Sequence, residues 1–577
     1  MKQKIGLLVL SCLVMLTLVL SSCKPAAGPT TTPGEEKPQY GGTINVAIVT
    51  FESIDPIRYE TEAREPHSLY LDRLLHGDWA ADRNLWDFSG WVGYTPLKFL
   101  RGALLESWEM PDLLTIVLHV RKGIHYQDKP PVNGREFTAD DVAWNLERMK
   151  NSPFLDQTWL GRMETITVPD KYMVEIKLSP PEQVPTVWVN LLDSTFTAFI
   201  AKEAIGSSGE VEDWKNMVGT GPFMMEDYVT GSALTFKKNP DYWGYDELNP
   251  KNKLPYADGV KMIVMPDVAT RQAALLGGRI DFLPRLDWQT GDQLKKTNPK
   301  LVMKQAPAAT NHTVAMRNDI EPFTDVRVRQ ALSMAVNRDA MVNSFFGGYA
   351  KPYSGFVKAL HGPPYWVPYD ELPDKPMWTS VSIKDVLSYN QEKAKQLLTE
   401  AGYPNGFETY IASATDRPGA EGVAEIVQAD LAKIGVKAEI RTYTWNVMAT
   451  MFAEKKLDQM IVAMWTYAPD VTKYFGRAVK PEHQWNYATV SDEGLQAMYK
   501  KATATFDAEE QGKLIREMNL YHLEKAFYIM LPEPQDVTAW WPWLKAYQGE
   551  GCLGARNEGT LLARLWINQK LKAEMGK

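Results

Sequence analysis

Short stretches in which apolar side chains alternate with smaller or polar ones predict β-strands, because successive side chains on a strand point to opposite faces. Residues 44–48 and 114–120 have this pattern. Residues 166–168 and 174–178 have it as well, and the polar turn between them predicts a hairpin. Each of these strands is expected to bury one face.

Helix and strand patterns alternate in the second half of the chain. Asn390 is predicted to cap a helix whose apolar positions are spaced by three, four and seven residues, and Gly402 ends it. A second helical pattern covers 423–434, with strand patterns at 408–412 and 436–440 on either side. A helix between two strands favours a βαβ unit with parallel strands, so the predicted class is α/β.

Two further helices are predicted from their first residues. Thr138 and Asp141 have the spacing of a capping box, in which each side chain reaches the backbone amide of the other residue. Thr324 is predicted to cap another helix. The apolar face of that helix consists of Val328, Ala331, Leu332 and Ala335.

The first residues predict export from the cytoplasm. Lys2 and Lys4 precede an apolar run over residues 5–20, which is short for a membrane span and leads into proline, glycine and threonine. Residues 1–22 are therefore predicted to be a signal peptide.

The end of this run, Leu-Ser-Ser-Cys23, resembles a bacterial lipobox, in which the cysteine thiol receives a diacylglycerol group. Cys23 is therefore predicted to be lipidated, although an ordinary signal peptide with an unrelated cysteine is the alternative. Residues 23–40 are rich in proline and are predicted to form an extended, flexible tether between the lipid and the folded protein.

Length and charge narrow the class of protein. A chain of 577 residues is long enough for two or three packed lobes. The net charge of −8 and the isoelectric point near 5.7 argue against nucleic-acid binding, which needs a basic face.

Cysteines and histidines offer no catalytic or metal-binding pattern. Cys12 lies in the predicted leader, which leaves Cys552 without a partner for an intramolecular disulfide once Cys23 is acylated. The eight histidines are scattered, so no metal site and no cofactor are predicted. No zinc-protease helix, phosphate loop or dinucleotide fingerprint occurs, and the chain is predicted not to be an enzyme.

Aromatic residues are the positive sign of binding. The chain has 19 Trp, 25 Tyr and 19 Phe, and several cluster without helical periodicity at 365–366, 443–445, 465–467 and 540–543. Rigid aromatic walls suit peptides, sugars or cationic groups. The alternative is that these residues fill the hydrophobic core.

Four segments in a fixed order are similar to those of a known family. They contain ALLESW and FTADDV within 103–142, VGTGPF and NPDYW within 218–243, PFTDVRVRQAL and AVNR within 322–338, and a helix ending in GYP at 394–404. With these segments the chain resembles the family 5 extracellular solute-binding proteins, the dipeptide, oligopeptide and nickel-binding receptors of ABC importers. Most of the matching residues belong to the scaffold, so they identify the fold without identifying the ligand.

The resemblance implies an α/β fold with two lobes, the periplasmic-binding-protein-like or Venus flytrap fold, with a large discontinuous N-terminal lobe. That lobe would contain residues 41–310 and regain 528–577, and residues 311–527 would form the second lobe. The ligand would lie in the cleft between them, and its contacts with both lobes would favour closure. The implied partners are an ABC permease and its ATPases. A monomer held by its lipid at the outer face of the cytoplasmic membrane, or in the periplasm, is expected.

The resemblance also marks candidate ligand-binding residues. In peptide-binding members a tryptophan precedes an acidic, proline-containing stretch whose aspartate receives the amino group of the peptide. Trp465 matches that tryptophan, and Asp470 is the counterpart of the aspartate, offset by one residue. Tyr467, Trp445 and Trp366 complete the predicted ligand-binding set. No arginine immediately precedes Trp465, so a receptor for a peptide carboxylate is not visible there.

Several functions stay open at this point. A peptide-like or other small polar solute is the leading ligand, and an oligosaccharide is the alternative because of the aromatic residues. Nickel is disfavoured because no histidine can be placed at the cleft. A secreted hydrolase is the rival from another class, and transport cannot be separated from sensing by sequence.

Overall fold

A computed structural model of the chain describes residues 36–51, 53–58, 66–86, 88–89, 95–155, 157–179, 191, 199–308, 310–353, 355–357, 365–454, 456–466, 471–481, 483, 485–505, 507–554 and 557–577. All the helices and strands of these residues lie in the unit Tyr40–Lys577. None of the helices in the described part of the chain is long and apolar enough to cross a membrane.

The strands, in chain order, are β1 (Thr43–Ile48), β2 (Leu75–Gly77), β3 (Leu100–Gly102), β4 (Leu105–Asp112), β5 (Thr115–Val120), β6 (Met163–Asp170), β7 (Met173–Leu178), β8 (Phe223–Val229), β9 (Ala233–Lys238), β10 (Gly259–Val264), β11 (Phe282–Leu286), β12 (Val302–Pro307), β13 (Thr310–Met316), β14 (Ala350–Lys351), β15 (Glu408–Ala414), β16 (Lys437–Tyr443), β17 (Met460–Thr466), β18 (Tyr528–Met530), β19 (Glu533–Trp540), β20 (Leu544–Lys545) and β21 (Trp566–Ile567).

The α-helices are α1 (His67–Tyr70), α2 (Ala139–Lys150), α3 (Gln157–Leu160), α4 (Val268–Leu276), α5 (Trp288–Thr297), α6 (Val326–Ala335), α7 (Arg338–Ser344), α8 (Ile383–Leu387), α9 (Gln391–Glu400), α10 (Ala420–Ala432), α11 (Trp445–Ala453), α12 (Val471–Val479), α13 (Glu493–Ala504), α14 (Ala508–Glu524), α15 (Glu558–Arg564) and α16 (Gln569–Glu574).

The first sheet has the strand order β12-β19-β11-β1-β10-β9-β8, and β14 pairs with β19 at one end. Strand β1 is parallel to β10 and β11, whereas β19 is antiparallel to β11 and β12. Buried side chains such as Ile44, Phe236 and Val260 form its core together with the tryptophans of 540–543. That aromatic segment therefore fills the core.

A separate antiparallel sheet, β4-β5-β7-β6, packs against α2. It contains the predicted hairpin, now seen as β6 and β7. Thr138 and Asp141 form the predicted capping box at the start of α2. Burial of alternate residues such as Ile116, Leu118 and Val120 confirms the period read from the sequence.

The second sheet has the order β16-β15-β17-β13-β18. Strand β15 is parallel to β16 and to β17, and α10 connects β15 to β16, so the predicted βαβ unit is confirmed. Strand β13 is antiparallel to both β17 and β18. Apolar side chains cover both faces of this sheet, which is therefore buried between two layers.

The chain passes from the first sheet to the second between β12 and β13, and it returns between β18 and β19. The first crossover is bonded to the start of β19, just after the second crossover, since the Ala308 amide donates to the Pro534 carbonyl at 3.0 Å. Strands β1, β10, β11 and β12 all point towards the crossovers, as do β15, β16 and β17 from the other side. The carboxyl edges of both sheets therefore adjoin the crossovers.

The predicted cap of α6 was wrong by one residue. Asp325, rather than Thr324, is the N-cap, and its carboxylate accepts from the Arg327 amide at 2.8 Å. The Thr324 hydroxyl instead donates to the carboxylate of Glu321. A carboxylate at the cap position is both a strong acceptor and favourably placed at the positive end of a helix.

The glycines of the VGTGPF segment lie where the chain passes against Tyr70. A β-carbon at Gly219 would lie 2.1 Å from the Tyr70 carbonyl oxygen. The Gly221 amide donates to the same oxygen at 2.9 Å. A β-carbon would therefore clash with the backbone at both positions, which explains the glycines.

His522 on α14 is buried within an aromatic cage. Its ring lies 4.8 Å from the ring of Phe356 and 5.6 Å from that of Tyr528. Neither ring nitrogen has a hydrogen-bond partner among the residues the structure describes. Burial disfavours the charged form and lowers the pKa of His522 to about 3.

The buried His522 predicts acid sensitivity. In the unfolded chain its pKa returns to about 6.5, so the unfolded state binds the proton more readily. The free energy of unfolding therefore falls as the pH decreases from 6.5 towards 3, because protonation of His522 favours the unfolded state. We expect the loss in unfolding free energy between pH 7 and pH 5 to be smaller by about 2 kcal/mol in His522→Phe than in wild type. Urea denaturation at both pH values measures it.

His125→Phe, at an exposed histidine, is the control for the replacement of histidine by phenylalanine itself. Equal pH dependence in wild type and His522→Phe would contradict the predicted origin of the acid sensitivity.

Candidate ligand site at the carboxyl edge of the second sheet

Three parallel strands of the second sheet end at one edge, at Ala414, Tyr443 and Thr466. In open α/β sheets the loops beyond the carboxyl ends are where ligands bind. The loop of residues 415–419 follows β15, and Trp445 begins α11 directly after β16. The crossovers adjoin the same edge, so this edge faces the first sheet.

Aromatic side chains form a wall at this edge, which we call the aromatic wall: Trp445, Trp485 and Tyr487. The rings of Trp445 and Trp485 are stacked, with centroids 6.0 Å apart and planes inclined by 7°. Tyr487 meets both indoles edge-on, at 6.2 Å and 5.8 Å. Burial raises the pKa of the Tyr487 hydroxyl well above its ordinary value, so Tyr487 stays neutral.

Arg417 lies against this wall. Its guanidinium carbon is 4.8 Å from the centre of the Trp445 ring, within the range of a cation–π interaction. Its Nε atom is buried and has no hydrogen-bond partner within the described ranges. The neighbouring Asp416 instead accepts from the Trp445 amide at 2.8 Å, which fixes the loop to the start of α11.

The helices that follow β10, β11 and β15 at the two carboxyl edges differ in their caps. On the first sheet, α4 and α5 begin with Asp267 and Asp287, whose carboxylates accept from backbone amides of the first turn. On the second sheet, α10 begins with Gly419, which provides no side-chain cap. The second edge therefore presents an arginine and an uncapped helix N-terminus, both of which attract an anionic group.

The predicted ligand-binding residues occupy different environments. Trp445 is half-buried in the aromatic wall, and Trp465 lies beneath it with 3% of its surface exposed. The Trp465 indole nitrogen donates to the Thr313 hydroxyl at 2.9 Å, and its ring contacts Tyr487 at 5.3 Å. The structure thus brings Trp445 and Trp465 together through Tyr487.

The other predicted residues are less directly placed. Trp366 is half-buried and lies beside Lys351, whose ammonium nitrogen is 5.9 Å from its ring centre, rather than in the aromatic wall. Tyr467, Asp470 and Cys23 lie outside the described residues.

Sequence reasoning missed Arg417, Trp485 and Tyr487. They come from two loops far apart in the chain, and hydrophobic periodicity carries no information about them. The position of Arg417, between the predicted strand 408–412 and the predicted helix 423–434 of a βαβ unit, was the available sign.

Comparison with known proteins identifies the family. Residues 100–486 match the model of the bacterial extracellular solute-binding proteins, family 5. The chain belongs to this family. Its members are transport receptors and not enzymes, which removes the hydrolase alternative.

Individual relatives support the same placement. The chain is 28% identical to "Heme-binding protein A" of Haemophilus influenzae over 470 residues, which cover 77% of this chain and 81% of that protein. It is 28% identical to "Glutathione-binding protein GsiB" of Salmonella typhimurium over 449 residues, covering 74% and 80%. The structure of the periplasmic binding protein DppA from Helicobacter pylori, in complex with the peptide STSA, superposes with a TM-score of 0.63. That match has 23% identity and covers 92% of this chain and 98% of the other.

The burial of Trp465 predicts a role in stability. Trp465→Ala removes a core side chain and leaves the Thr313 hydroxyl without its partner, so we expect the free energy of unfolding to fall by about 3–5 kcal/mol. Urea denaturation of the purified protein measures this loss. Trp366→Ala, at a half-buried tryptophan, is the matched control with a smaller expected loss. A loss for Trp465→Ala no larger than that of the control would contradict the prediction.

Proposed function

We propose that this chain is the receptor of an ABC importer that captures a peptide-like solute bearing a carboxylate and delivers it to the permease. The observation that carries the proposal is Arg417, which lies over Trp445 at an edge that faces the first sheet. Relatives named for glutathione and a peptide complex in a neighbouring structure support this solute class.

In this proposal Arg417 receives the carboxylate. The stacking on Trp445 holds the guanidinium in place, and the uncapped start of α10 adds a favourable dipole. Asp470 remains the proposed acceptor for an amino group, as the resemblance implies. Trp445, Trp366 and Tyr467 are proposed to contact the solute, and Trp465 to support the wall from beneath.

The two lobes are proposed to be 41–310 with 528–577, and 311–527. The crossover between β12 and β13 supports the first boundary, because the chain changes sheet there. The return crossover lies between β18 and β19, a few residues beyond 528, because β18 still pairs with β13 of the second sheet. Closure of the lobes would bring the acidic caps Asp267 and Asp287 of one edge towards Arg417 of the other. A solute with both a cationic and an anionic group then has one favourable orientation.

Ligand binding predicts a rise in melting temperature. A solute that binds only the folded state stabilises it by about 2.7 kcal/mol at one hundred times its Kd. We expect glutathione or the peptide Ser-Thr-Ser-Ala to raise the melting temperature of the full chain in a concentration-dependent way. Arg417→Gln should raise Kd about 10- to 100-fold, because it removes a charge-assisted hydrogen bond. Differential scanning fluorimetry and calorimetric titration measure the two effects.

Arg441→Gln is the matched control. Arg441 is also stacked on an aromatic ring, with its guanidinium carbon 4.1 Å from the centre of Tyr410, but it belongs to β16 and donates to the Glu439 carboxylate of the same strand at 2.8 Å. It should leave Kd unchanged. Equal losses in the two variants, or stabilisation by oligosaccharides but by neither glutathione nor the peptide, would overturn the carboxylate assignment.

We also propose that the protein acts at the cell envelope as a monomer, anchored by a lipid on Cys23 and lifted from the membrane by residues 23–40. The signal-peptide pattern of residues 1–22 and the lipobox-like ending support this proposal. The membrane-facing partner is then a permease with cytoplasmic ATPases.

Lipidation predicts a change in fractionation. Wild-type protein expressed in a bacterial host should incorporate labelled fatty acid and sediment with membranes, whereas Cys23→Ser should do neither, because the acylated thiol is removed. Cys552→Ser, at the buried cysteine, is the control and should behave as wild type. Unchanged labelling of Cys23→Ser would exclude the proposed anchor.

A further inference from the structure

A short segment that follows α7, residues 345–351, belongs by sequence to the second lobe yet contacts the first. The indole nitrogen of Trp288, at the start of α5, donates to the Phe345 carbonyl at 3.2 Å. The Trp288 ring stacks on Tyr349 with centroids 6.2 Å apart and planes inclined by 18°. The Tyr349 hydroxyl donates to the Asp292 carboxylate at 2.5 Å, which raises its pKa and keeps the proton on tyrosine.

Backbone pairing reinforces these side-chain contacts. Strand β14, residues Ala350–Lys351, pairs with the first residues of β19 just after the returning crossover. The Gln535 amide also donates to the Tyr349 carbonyl at 2.8 Å. The segment is therefore held to the first sheet by main-chain and side-chain bonds together.

Gly347 makes the close approach possible. A β-carbon at this position would lie 2.6 Å from the Trp288 ring, and the backbone has a φ of +57°. Both conditions favour glycine. The indole thus packs directly on the main chain of the segment.

Phe345, the first residue of the segment, packs against the second lobe. A β-carbon at Gly422, in the first turn of α10, would lie 2.6 Å from the Phe345 ring, and one at Gly419 would lie 3.7 Å from it. The ring therefore packs against the start of α10, two residues beyond Arg417. The contacts run from α5 through Phe345 to the loop that carries Arg417.

We propose that Trp288, Phe345 and Tyr349 form a clasp, a non-covalent third connection between the lobes that positions residues 415–419. The clasp lies beside the two covalent crossovers. It restricts the relative motion of the lobes to rotations that keep segment 345–351 on the first sheet. Its effect on ligand affinity rests on the proposed function of Arg417, but its effect on the loop does not.

Hydrogen exchange of the ligand-free full chain tests the clasp. Trp288→Phe keeps an aromatic ring but removes the donor to Phe345, and Tyr349→Phe keeps the stack but removes the bond to Asp292. We expect each to speed amide exchange in peptides covering 415–422 about three- to tenfold, as expected for losing one hydrogen bond. Trp144→Phe, at a half-buried tryptophan of α2, should leave that exchange unchanged.

Two further measurements complete the test. The radius-of-gyration distribution from small-angle scattering should broaden in the clasp variants, and Kd for glutathione should rise by a similar three- to tenfold factor. Exchange at 415–422 and scattering that both match wild type would overturn the clasp. If wild type binds neither glutathione nor Ser-Thr-Ser-Ala, the assigned solute class fails while the exchange result still decides the clasp.

Discussion

The position of the two crossovers is the constraint on which the site depends. They join the first and second sheets where the parallel strands of both sheets end, and Ala308 of the first crossover is hydrogen-bonded to Pro534 at the start of β19. Short loops that follow those strands therefore lie close together, although they come from different sheets.

Local capping distinguishes the helix that follows β15 from the helices that follow β10 and β11. Asp267 and Asp287 each cap the N-terminus of a helix at the edge of the first sheet. Their carboxylates occupy backbone amides that could otherwise bind an anion. Gly419 leaves α10 without such a side chain, and Arg417 stands two residues before it. An aspartate at position 419 would both compete for the guanidinium and require a positive φ that glycine adopts freely, since this residue has a φ of +77°.

Much of the fold could be predicted from the sequence because it rests on local rules. The period of two in β5, the capping box of α2 and the β15–α10–β16 unit each depend on residues within a few positions of one another. The cap of α6 was misplaced because Thr324 and Asp325 are adjacent and both suit the role. Which aspartate, arginine or tryptophan faces the neighbouring sheet depends on the pairing of strands that are distant in the chain, such as β15 with β17 and β13 with β17. Periodicity does not contain that information.

The tryptophans show why the site resisted prediction more than the fold did. Trp445 and Trp465 both lie at or next to the carboxyl end of a strand, so their positions in the sequence look equivalent. Trp465 still belongs to its strand, opposite Asn311, and its side chain turns into the layer beneath the sheet edge. Trp445 has left its strand and opens a helix, so its ring is free to stack on Trp485 and support Arg417. A shift of three residues relative to the end of a strand thus separates a core side chain from one in the aromatic wall.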